Sequence, residues 1–102
     1  MIRHIFLGKA RAEARPEQLE ELCAAWRSLV GQVPGLRSLV AGRNISPRDQ
    51  QYTVALVADL DDMEAWERYM QHPAHVAISQ HLTSQLIHSD GRAMVQLVME
   101  DQ

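Results

Sequence analysis

The sequence predicts a single α+β domain of element order βαββαβ, and three observations carry that expectation. Four segments alternate their apolar residues with a period of two, the spacing of a β-strand. Two segments repeat apolar residues at helical spacing behind Pro or acidic start signals. The strands also carry more apolar surface than two helices can cover. All of the 102 residues, 1–102, are assigned to this one domain, a length below that at which cores divide.

The first strand is expected over Ile2–Lys9, where Ile5 and Leu7 alternate with His4 and Phe6. Pro16 then opens a helix, since its missing N–H is not needed in a first turn. Glu17, Glu20 and Glu21 lie near that positive end. Leu19, Leu22, Cys23, Trp26, Leu29 and Val30 share one face, and Gly31 is a stop signal. Pro34-Gly35 turns the chain into a strand over Leu36–Asn44, with Leu39 and Val40 on opposite faces. Residues 44–51 read as a loop through Ser46-Pro47 and Asp49.

A third strand is expected over Tyr52–Leu60. Asp61 with Glu64 then suggests a capped helix start, with Leu60 and Ala65 as a weak staple. Met63, Trp66 and Met70 mark its buried stripe, with Tyr69 at the edge. His72-Pro73 interrupts that helix, because proline disfavours α geometry in the residue before it. A new helix runs from Pro73 to about Ile87, Ser89-Asp90-Gly91 closes it, and Ala93–Met99 forms the last strand.

This order is the ferredoxin-like arrangement, with helices on one face of an antiparallel sheet. The other face would be left bare. Whichever face each strand gives to the helices, Ile5 and Leu7, Ala55 and Val57, or Met94 and Val98 remain over. An uncovered apolar sheet is an association surface, so the expected form is a homodimer paired about a two-fold axis.

Composition narrows the function classes. Hydrophobic residues make up 46% and charged residues 23%, with a net charge of −3. That balance, with Arg and Lys spread thinly, argues against a nucleic-acid surface. No apolar run approaches the ~20 residues that span a bilayer, and the N-terminus lacks a signal-peptide pattern. No membrane partner is therefore expected. The lone Cys23 cannot form an intramolecular disulfide, which fits a cytoplasmic setting.

Four of the five histidines fall between residues 72 and 88. Tyr69, His72 and His75 bracket Pro73, which fixes the bend between them. Histidine can give or take a proton near neutral pH, and tyrosine can donate to a developing oxyanion. His4, a polar group in an apolar strand, needs a partner and could meet Tyr69 or His75 across a cavity. Phe6, His72, Val54 and Leu56 are the other candidate lining residues. A metal site is not expected: His72 and His75 are separated by a proline-broken bend, with no carboxylate or cysteine beside them. No cofactor is implied.

Together, Ile2-Arg3-His4-Ile5-Phe6, the Pro34-Gly35 turn and Tyr69-Met70-Gln71-His72-Pro73-Ala74-His75 resemble the stress-responsive A/B barrel, or Dabb, family over essentially the whole chain. The resemblance implies a homodimeric α+β barrel. It also implies kinship with a plant polyketide cyclase of the same build, in which a His base and a Tyr partner carry out a cofactor-free aldol cyclisation. The matching positions are His75 for the base, Tyr69 for the tyrosine and His4 for the strand histidine. Gly8 and Val54 stand where the cyclase has a larger apolar residue and another His, so the pocket differs there.

Three functions are carried forward. The one asking least is a small-molecule-binding dimer without turnover, its pocket lined by His4, Tyr69 and His75. A second is a cofactor-independent enzyme on a carbonyl or polyketide-like substrate, with His75 as base and Tyr69 as oxyanion partner. The third is a cofactor-free monooxygenase enlisting Trp66.

Overall fold

A computed structural model describes residues 1–100. Strands β1 (Ile2–Ala10), β2 (Leu36–Arg43), β3 (Val54–Leu60) and β4 (Ile87–Val98) form one sheet of order β2-β3-β1-β4, every pairing antiparallel. The helices are α1 (Pro16–Arg27), α2 (Met63–Gln71), α3 (Pro73–Ile78), a π-helical segment at Ser79–Thr83 and the short α4 (Ser84–Leu86). This is the expected α+β, ferredoxin-like arrangement.

Alternation in β1 and β3 sorts side chains cleanly. Ile2, His4 and Phe6 are buried with Val54, Leu56, Ala58 and Leu60 beneath the helices. Leu19, Leu22, Cys23 and Trp26 of α1 close that layer. Burial pushes the Cys23 thiol up, so it behaves as a small core residue. Val30 lies outside the stripe and is exposed, because α1 stops at Arg27 and the chain turns through Gly31 at φ +92°.

The opposite sheet face is left uncovered by the described residues of the single chain. Register places Ile5 beside Val57 and Val95, and Leu7 beside Ala55 and Ala93. Val40, Val95 and Leu97 are 70%, 51% and 47% exposed. Met94 and Val98 belong instead to the face of His4 and Phe6, since Met94 pairs with Phe6 and Gln96 with His4.

Several local expectations are corrected. The cap of α2 is Asp62, not Asp61: its carboxylate accepts from the Ala65 N–H at 2.8 Å, which moves the helix start and removes the Leu60–Ala65 staple. Ala65 and Tyr69 are the buried residues of α2, whereas Met63 is exposed. That shift rotates the stripe and puts Tyr69 at its centre. Strand β3 begins at Val54 rather than Tyr52, because the Asn44 side chain ties down the Asp49 and Tyr52 carbonyls. Ser89-Asp90-Gly91 lies within β4 rather than closing the helix. A register shift between Gly8 and Ala10 lets Ile87 pair with Ala10, and a side chain at Gly91 would come within 2.8 Å of Lys9 Cβ.

Candidate functional site

Beneath the helices, β1 and β4 meet α2, α3 and the π-helical segment around a cavity of about 110 Å³. His4, Phe6, Leu56, Tyr69 and His75 line it together. Val54 is fully buried in the core and does not line this cavity; His72 does not line it either. The sequence did not single out Met70, Ser79, Thr83, Arg92 and Met94 as lining residues, and it read Trp26 as core only.

The helix break builds the site. Proline at 73 has no N–H for the Tyr69 carbonyl, which instead accepts from the His72 backbone N–H at 3.3 Å. His72 turns extended, with ψ 135°, and its Nδ1 accepts from the Ala74 N–H at 3.1 Å, capping α3. Ala74 would otherwise have bonded the Met70 carbonyl, as residue i+4 of a continuous helix. That carbonyl is instead met by His75 Nδ1 at 3.3 Å. His72 is thus engaged as a cap, and the carbonyl released by the break orients His75.

Those contacts assign protons. A carbonyl only accepts, so His75 Nδ1 carries hydrogen and the neutral ring presents its Nε2 lone pair. Burial, its largest influence, lowers the His75 pKa. His4 has the opposite polarity. Trp66 Nε1, a donor only, reaches His4 Nδ1 at 3.2 Å, and Gln96 Nε2 reaches the same atom at 3.1 Å. Nδ1 must therefore accept, leaving the proton on Nε2. Burial first, and His75 second, hold the His4 pKa at about 4, so the ring is neutral.

Tyr69 stands between the two rings. Its centroid lies 5.8 Å from that of His4 and 4.5 Å from that of His75. The side chain is buried, which pushes its phenol pKa up and keeps it a donor at neutral pH. No group among the described residues hydrogen-bonds its hydroxyl. The cavity therefore carries one neutral base, His75, near two N–H or O–H donors, His4 and Tyr69. Among the described residues no group of three or more His, Cys, Asp or Glu is placed to hold a metal ion.

The sequence signal for the missed partners was parity. Gln96 lies opposite His4 on the same sheet face, and Trp66 stands one helical turn before Tyr69. Neither pairing could be drawn until strand register and helix phase were known.

A model of the stress responsive A/B barrel domain, Dabb, matches residues 2–94. This chain belongs to the Dabb family. The Dabb chain is 38% identical over 79 residues to an uncharacterised protein of Streptomyces coelicolor, covering 76% of this chain and 81% of that one. It is 25% identical over 77 residues to olivetolic acid cyclase of Cannabis sativa, covering 74% and 76%. A dimeric ferredoxin-like protein of unknown function from Thermobifida fusca superposes with a TM-score of 0.83 at 28% identity, covering 96% of this Dabb chain and 90% of the other.

Proposed function

We propose that this Dabb protein is a homodimer whose cavity, one per subunit, binds a small carbonyl compound and moves a proton on it without a cofactor. The observation that carries the reading is the division of labour around one cavity, with a lone pair on His75 and donors on Tyr69 and His4. In the proposed step the His75 Nε2 lone pair takes a hydrogen from the carbon beside the carbonyl. The C–H bond pair becomes the new C–C π bond, and the carbonyl π pair moves onto oxygen. Tyr69 and His4 donate to that oxygen as its charge grows. The imidazolium then returns its proton to carbon, or to the enolate oxygen to give the enol.

Kinship with a protein named as a cyclase supports an enzymatic role in the family. The described dimer of the Thermobifida fusca relative, together with the bare apolar sheet face, supports the homodimer. The oxygenase reading is less well served, because Trp66 directs its N–H to His4. The whole of 1–102 is taken as one domain, and the unpaired, buried Cys23 suits a cytoplasmic setting.

Deuterium exchange of 1,3-dicarbonyl compounds in D2O, followed by NMR, tests the reaction. Wild type should accelerate exchange, and His75→Ala and Tyr69→Phe should each lose about 100-fold. A parallel thermal-shift screen tests binding alone. Hits that stabilise wild type but neither mutant, without exchange, would leave a binding protein and remove the enzyme. Equal shifts in all three would remove the pocket.

A further inference from the structure

Arg92, at the exposed mouth of the cavity, and Thr83, on its buried wall, remain unused by the proton-transfer reading. Arg92 lies on the helix-facing side of β4, two residues before Met94 and paired with Gly8, and it lines the cavity while staying solvent-exposed. Its guanidinium is held by backbone carbonyls. Nε donates to His88 at 3.2 Å, and Nη2 donates to Ile87 at 3.2 Å and to Thr83 at 3.4 Å. Arg3, Arg15, Arg37 and Arg43 each meet a carboxylate, but Arg92 meets none among the described residues. Its position is fixed while no described carboxylate neutralises its charge.

Thr83 supplies the independent observation. It is 5% exposed and lines the same cavity, and its Oγ1 is buried without a hydrogen-bond partner among the described residues. A buried hydroxyl left so costs stability, and a bound group that pairs with it would remove that cost. Thr83 ends the π-helical segment that begins at Ser79, another lining residue. π-helical turns occur often at functional sites.

We propose that Arg92 and Thr83 form a carboxylate-binding subsite, so that the ligand class is a small oxo acid. This deepens the proposed function and rests on it. The carboxylate lies at the mouth against the Arg92 guanidinium and the Thr83 hydroxyl, and the carbonyl points inward to Tyr69 and His4. Size agrees: the cavity is about 110 Å³, below the ~150 Å³ that encloses a benzene ring. The reacting part of the ligand is therefore small, and any longer chain leaves through the mouth. Donors also predominate among the lining side chains: His4, Tyr69, Thr83 and Arg92 can each donate, whereas His75 presents an acceptor, which suits an anion.

The test uses matched probes: 2-oxobutanoate, 3-oxobutanoate and 4-oxopentanoate, each against its neutral primary amide. Binding is followed by NMR of the His4 and His75 ring protons, which respond to occupancy of the cavity. At least one acid should bind wild type about tenfold or more tightly than its amide, as a hydrogen bond to a charged group implies. Arg92→Gln should erase that ratio and leave amide affinity within about twofold. Thr83→Val, which keeps every backbone contact, should weaken the acid about threefold, and it serves as the probe if Arg92→Gln fails to fold. Equal binding of acids and amides by wild type, or a ratio that survives both substitutions, would overturn the subsite and leave the cavity standing. No binding of either series would also overturn the subsite; a blank thermal-shift screen beside it would remove the pocket itself.

Discussion

His4 shows how a buried ring acquires a defined protonation state. The Trp66 indole can only donate, so the atom it meets must accept, and the imidazole is neutral with hydrogen on Nε2. The unfolded ring titrates near 6.5 and the folded one near 4. Between those values the unfolded chain binds the extra proton and the folded chain does not. Stability is therefore full above about pH 6.5, falls as pH drops toward 4 and levels off below. The loss attributable to His4 is on the order of 3 kcal/mol, and His75, also lowered, acts in the same direction. Urea melts across this range should show that acid limb, and His4→Gln should flatten it. A limb of unchanged depth in the variant would contradict the assignment. Thr83 yields a second residue-scale expectation: Thr83→Val removes a buried hydroxyl that has no partner among the described residues and should stabilise by about 1 kcal/mol, raising Tm by roughly 4 °C by calorimetry.

At the scale of elements, the break at His72-Pro73 was readable because proline lacks the N–H that a continuing helix requires. Its consequence was not readable. That the released Met70 carbonyl would orient His75 depends on where α3 restarts and how its first turn faces. The α2 cap shows a finer limit. Asp61 and Asp62 are chemically alike, and only the bond from Ala65 N–H to Asp62 identifies the cap. Entry to β2 is stricter. Gly35 has φ +86°, and a Cβ there would stand 2.7 Å from Ala65 Cβ. Gly35→Ala should therefore cost about 2 kcal/mol or more from backbone strain and displacement of α2, measured as a lower urea midpoint. A neutral result would mean that α2 yields more easily than this packing implies.

At the scale of the molecule, the bare sheet face is a feature that the described residues of one chain do not complete. Ile5, Leu7, Val57, Val95 and Leu97 run across it, beside the ion pair of Arg3 and Asp59 at 2.8 Å. If two such faces pair, Val57→Asp would bury a carboxylate without a partner, which costs several kcal/mol. Sedimentation should then show a dimer for wild type and a Kd weakened by about 100-fold or more for the variant. An unaltered dimer would place the interface elsewhere.

By itself the sequence determined the order of elements, the ferredoxin-like architecture and the surplus of apolar strand faces. Those properties follow from local periodicity, from proline and glycine geometry, and from counting surfaces that must leave water. It also marked Tyr69, His75 and His4 as polar groups close to a core. Tertiary structure alone decided which ring nitrogens of His4 and His75 carry hydrogen and which accept, because that depends on Trp66, Gln96 and Met70 arriving from separate elements. It likewise brought Arg92, from β4, and Thr83, from the π-helical segment, to the wall of one cavity. Each is unremarkable in sequence, and its meaning comes from surroundings that only the assembled fold reveals: backbone carbonyls hold Arg92 beside the cavity, and the Thr83 hydroxyl is buried with no partner among the described residues.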